Sequence, residues 1–205
     1  MRDLLYFLFT DHAIFRALWS NTHLVAPNVW RSNHPTKRRL KAIQKKGVKH
    51  ILSLRGDMKN SPYRFERENC LDLGLKLTVI GLASRDVAPK DRFIDLLDFF
   101  DTTDVPFLMH CKSGADRTSL AAAFYLIYKC GTPIVHARKQ MAPWYLHFKW
   151  TKTGILDFML DEFERFINKN PDKDLRYWVT HIYDAETLKN AFNATRLANG
   201  KSIIK

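Results

Sequence analysis

The sequence predicts an α/β fold: a mostly parallel sheet of about four strands, flanked by helices, with a helical C-terminal third. Three observations carry that reading. Four short apolar runs rich in β-branched and aromatic residues are spaced along the chain up to Cys111, helical patterns stand between them, and past Arg117 only helical patterns follow. Strand, helix and strand in that rhythm imply crossover connections and parallel pairing.

The strands are expected over 28–32, 48–54, 75–82 and 106–111. Between them, a helix over 37–46 is closed by Gly47 and one over 61–73 by Gly74, each glycine a natural left-handed C-cap. A third, over 89–100, carries Phe93, Ile94, Leu96, Leu97 and Phe100 as an apolar stripe. Further helices are expected over 118–129, 134–140 and 154–168, with weaker ones past Asp174 and a frayed tail at "NGKSIIK". No repeat or Gly/Ser linker interrupts the chain, so residues 1–205 read as one domain. Its parts are an N-terminal helix over 1–24, a core over 25–145 and a helical extension over 146–205.

At 46% hydrophobic and 26% charged residues, the composition is that of a soluble globular protein with a core to bury. Lys and Arg exceed Asp and Glu by 33 to 21, a net charge of +12 that favours polyanionic partners. Three cysteines without a C-x-x-C suit a reducing, cytoplasmic compartment rather than a disulfide framework, and no zinc-ligand spacing is present. Cys70 and Cys130 read as core residues, although under oxidation either could pair with Cys111. The apolar N-terminal run, Leu4 to Phe9, is too short for a signal-peptide core or a bilayer span. A docked amphipathic helix is the reading there, with a peripheral membrane contact left open. The aromatic stretch "PWYLHFKW", 143–150, is expected to pack on the core, with a membrane or nucleic-acid contact as its alternative.

The chemistry concentrates in "HCKSGADRT", 110–118, between the last strand and a helix. Loops after the carboxyl ends of parallel strands bind ligands, and free N–H groups at a helix N-terminus suit an anion. Gly114 lets successive N–H groups of Lys112, Ser113, Ala115 and Asp116 curl inward. Cys111 at that place should have a lowered pKa and act as nucleophile. Arg117 offers a planar fork to phosphate oxygens. Thr118 can hydrogen-bond the sulfur and help it leave, and His110 braces the loop.

With this spacing the chain resembles the cysteine-dependent protein tyrosine and dual-specificity phosphatases, whose signature H-C-x-x-G-x-x-R-[S/T] is matched at every fixed position. "VWRSNHP" and "GVKHILSLRG" extend the resemblance over roughly residues 25–140, and "KTGILDFMLDEFERF" is similar to a bacterial subgroup. The resemblance implies a dual-specificity-phosphatase-like fold and a two-step phosphocysteine mechanism without metal or other cofactor. It also implies an Asp general acid before the catalytic helix. Asp86 is preferred, with Asp91 and Asp116 as the alternatives, since the family's Trp-Pro-Asp form is absent. Lys112 and Asp116 resemble the "C-K-x-x-x-D-R" loop of phosphoinositide phosphatases, so a phosphorylated protein or an anionic phospholipid is the expected substrate. Asp57 reads as the end of its strand rather than part of the cleft. A rhodanese-like sulfurtransferase and a non-catalytic phosphate-binding module are the alternatives, and nucleic-acid binding has no supporting motif. Natural substrate and oligomeric state stay open.

Overall fold

The computed structural model describes residues 19–56, 59 and 61–204. Asp57 and nearly all of the expected N-terminal helix lie outside them. The chain divides into two compact units: Met1–Gly81 with Asp104–Thr118, and Leu82–Thr103 with Ser119–Lys205.

The first unit is built on a five-stranded sheet. Its strands are β1 (His23–Ala26), β2 (Val29–Ser32), β3 (His50–Ser53), β4 (Lys76–Val79) and β5 (Phe107–His110), in the order β1-β2-β5-β3-β4. All pairings are parallel except β1 with β2. Every residue of β5 is buried, which explains its unbroken apolar run: a central parallel strand has no wet face. Helices α1 (Lys37–Gln44) and α2 (Ser61–Asp72) connect β2 to β3 and β3 to β4. Leu40 and Ile43 of α1 and Cys70 of α2 form a core with Ile51, Leu108, Val48 and Leu75.

Four strands were expected and the fifth, β1, is additional. It lies at the sheet edge, with Leu24 54% exposed and none of its four residues buried. Pro27-Asn28 turns it into β2, Asn28 adopting a left-handed φ of 65°. His23 and Leu24, placed in the N-terminal helix by sequence, are therefore strand residues. The other strands are shorter than their apolar runs, because only four residues of each find ladder partners.

The second unit is helical: α3 (Lys90–Thr102), α4 (Asp116–Cys130, from Ser119 onward), α5 (Ile134–Ala137), α6 (Ile155–Lys169), α7 (Leu175–Tyr177) and α8 (Ala185–Ala198). Ile155, Leu156, Met159, Leu160 and Phe163 give α6 one buried stripe. Its aromatic centre joins Phe93 to Phe124 and Tyr183, and Trp178 to Phe163 and Tyr183, with ring centroids 5.3–5.7 Å apart. The expected helix over 134–140 is a short α5 running into a 3-10 turn (Arg138–Met141). The tail is docked rather than frayed: Asn193 bonds both the N–H and the carbonyl of Ile204, whose side chain is buried. Cys130 is exposed, contrary to its core assignment, because it ends α4 just before Gly131. Cys70 is buried, and burial pushes its thiol up to about 12.

Candidate active site

β5 returns to the gap between β2 and β3, so its carboxyl end opens at a change in strand order, where α/β sheets bind ligands. His110 is in register with Ser32 and Ser53 on either side. The chain then makes the loop 111–115 and enters α4 at Asp116.

The loop is held in shape from outside. Gly114 has a φ of 71°, and a Cβ there would fall 2.7 Å from the backbone of Ser32 and Asn33. Its carbonyl accepts from Arg31 Nη2 at 2.7 Å and from Asn21 Nδ2 at 2.9 Å. Asn21 Nδ2 also reaches the Ser113 carbonyl at 3.3 Å, and the His34 N–H donates to the Lys112 carbonyl. With the carbonyls drawn outward, N–H groups turn inward. Those of Gly114 and Thr118 favour the thiolate form of Cys111. We expect Gly114→Ala to cost at least about 2 kcal/mol of stability, from the left-handed φ and the forced backbone displacement together. Urea denaturation checks it, and an unchanged midpoint would mean the loop yields easily.

Cys111 is buried at the floor of this loop. Burial pushes its thiol up, but the Arg117 guanidinium, the Thr118 hydroxyl and the two N–H groups outweigh it and hold the thiol below its ordinary value. Arg117 donates from Nη1 to the Leu54 carbonyl at 3.3 Å. Its buried Nε has no hydrogen-bond partner among the described residues, a charged donor left unspent. Ala115 and Thr118 are buried, while Lys112, Ser113 and Asp116 are half-buried.

Beneath the loop is a buried group that the sequence did not single out. Glu66, from the inward face of α2, meets His110 Nε2 at 2.6 Å and stands 4.0 Å from His34 Nδ1. The two imidazole rings are edge to face at 5.2 Å. Burial raises the Glu66 carboxyl, but His110, His34 and Arg55 override it and bring the group from 4.5 to about 2. Nδ1 of His110 lies 3.3 Å from the Cys111 carbonyl, so the braced imidazole reaches the loop directly. His34, Glu66 and His110 have metal-ligating chemistry, and their donor atoms lie within 4.8 Å of one another, with Glu66 and His110 in ion-pair contact. The available sequence signal was Ser61, Pro62, Glu66 and Cys70 at near-helical spacing, an acid on an inward stripe.

The candidate general acids are placed as follows. Asp86 accepts from Lys189 Nζ at 2.7 Å and, through its other oxygen, from the Val87 N–H at 2.8 Å. Asp91 lies in the first turn of α3, largely exposed and 3.7 Å from Arg92 Nε. Asp116 occupies the first turn of α4.

The fold agrees with that of the solved structures it resembles. A candidate phosphatase (DUF442) from Shewanella putrefaciens CN-32 superposes with a TM-score of 0.56 at 18% identity, over 69% of this chain and 91% of that one. The core catalytic domain of the PP-IP phosphatase SIW14 from S. cerevisiae, in complex with citrate, gives 0.54 at 19% identity, over 74% and 93%. Tk-PTP in its active form gives 0.51 at 15% identity, over 60% and 83%. The chain has the fold shared by these phosphatases. No family model matches the sequence, and no curated protein matches it either.

Proposed function

We propose that this chain is a cysteine-dependent phosphomonoester hydrolase acting through a phosphocysteine intermediate. The observation that supports it most is the unspent Arg117 Nε beside a sulfur whose thiol is held low by the same loop. Cys111 attacks phosphorus in line, the P–S bond forms and the ester P–O bond breaks. Arg117 and the inward N–H groups stabilise the equatorial oxygens, where charge accumulates. Water then hydrolyses the phosphocysteine, with Thr118 easing departure of the thiolate. His110, braced by Glu66, keeps the loop in register.

Asp86 is our choice for the acid that protonates the leaving oxygen. Asp86→Ala should slow turnover about 100-fold or more for alkyl-like leaving groups and much less for nitrophenolate, which needs no proton. Equal losses for both would move the role to Asp91 or Asp116.

The substrates we propose are phosphotyrosine protein and anionic phospholipid phosphates, consistent with Lys112 at the loop and the net charge of +12. The experiment is phosphate release from a phosphotyrosine peptide and from phosphorylated phospholipid, side by side, with Cys111→Ser as blank. Release from neither above the blank would leave a phosphate-binding module.

A further inference from the structure

The stretch over 143–152 does not pack as its sequence predicts. His147 is buried and bonds Asp157 at 2.7 Å, but Trp144 is 65% exposed, Trp150 57% and Leu146 44%. The loop is fixed rather than loose. The Thr151 hydroxyl donates to the Phe148 carbonyl at 2.9 Å, and Arg196 Nη1 donates to the Thr151 carbonyl at 3.1 Å. Gly154 lies so close to the Lys149 carbonyl that a side chain there would displace it. Large apolar groups are thus displayed by a structured element, which surfaces rarely do without a partner.

Along the chain, the charges flanking them have one sign. Between Asp116 and Asp157 the chain contains no acidic residue, while Lys139, Lys149 and Lys152 are exposed. The acids of α6 nearest in sequence are engaged, Asp157 with His147 and both Asp161 and Glu164 with Arg138. Indole rings with interleaved lysines suit a headgroup layer, where Trp places an apolar body and a polar N–H at the boundary and Lys meets anionic headgroups. No helix among the described residues is long and apolar enough to cross a membrane.

We propose that the loop 143–152 docks this chain on an anionic phospholipid bilayer, Trp144, Leu146 and Trp150 entering the interface while Lys149 and Lys152 engage the headgroups. The inference stands on surface chemistry and is independent of the reaction proposed for Cys111.

The test is cosedimentation of the full chain with vesicles of phosphatidylcholine alone or mixed with phosphatidylglycerol, together with Trp emission. Binding to the mixed vesicles only, with a blue shift, is expected. Trp144→Ala with Trp150→Ala should weaken it about tenfold or more. Lys149→Gln and Lys152→Gln should each weaken it about fivefold. All these variants should melt like the parent, since the side chains are exposed. The proposal fails if the full chain stays in solution, or if neutral and anionic vesicles bind it equally. It also fails if the double Trp variant binds undiminished, which would assign the contact to another segment. Concentration-dependent self-association abolished by that variant would make the occupant a second copy of the chain.

Discussion

Cys111→Ser should lower phosphate release by roughly 10⁴-fold or more while leaving oxyanion binding nearly intact. The reason is the division of labour in the loop. In the proposed function the inward N–H groups and Arg117 hold the anion, and neither depends on the sulfur for its position, since Arg31, Asn21 and His34 fix the carbonyls from behind and the Leu54 carbonyl anchors Arg117. Serine preserves that frame but offers a hydroxyl that stays protonated, where cysteine is held below its ordinary 9.0. Calorimetric titration with tungstate beside a turnover assay separates the two effects. Turnover retained within tenfold would remove Cys111 from the nucleophile's role. In the parent, inactivation by iodoacetate should rise with pH through a midpoint below 9, and Thr118→Ala should move that midpoint upward.

Glu66→Gln should destabilise the fold by about 3 kcal/mol at neutral pH, although it keeps the shape of the side chain. Glutamine removes the charge that answers His110 and His34 inside the first unit. The pH dependence gives the sign. Glu66 falls from 4.5 to about 2 on folding, so its contribution is complete above pH 4.5 and disappears as pH drops toward 2. Urea midpoints of parent and variant should therefore converge across that window. A constant gap down to pH 2 would mean that packing, not charge, is what Glu66 supplies. The variant should also lose turnover more than affinity, because Glu66 reaches the loop indirectly, through His110 and His34.

What could be read from the sequence is what lies close together in the chain. Cys111, Gly114, Arg117 and Thr118 lie close together, in the loop and the first turn of α4, and carry a local pattern, and the parallel sheet follows from the alternation of apolar runs and helices. The supports act across long sequence distances. Gly114 is held from 83 and 93 positions upstream, by Arg31 and Asn21, and nothing in the spacing marks those residues as partners of the loop. The sequence marked 61–73 only as a helix, and nothing in it set Glu66 apart from the other acids before the fold brought it to His110. The edge strand β1 was missed for a related reason: its stability comes from pairing with β2 rather than from burial, so its residues carry no apolar alternation. Trp144 and Trp150 misled in the opposite direction, because aromatic content normally signals a core and here signals a surface.

The outward clamping of the loop carbonyls bears on selectivity. In the function proposed above, a cradle whose amides already converge before an anion arrives needs no guest to organise it, so it would accept any tetrahedral oxyanion of suitable size and be blind to what the phosphate is attached to. Discrimination among esters would come from groups beyond the loop's own backbone, Lys112 among them. Altering substrate preference would then mean redesigning that rim, while the anion cradle itself could pass unchanged from one substrate to another.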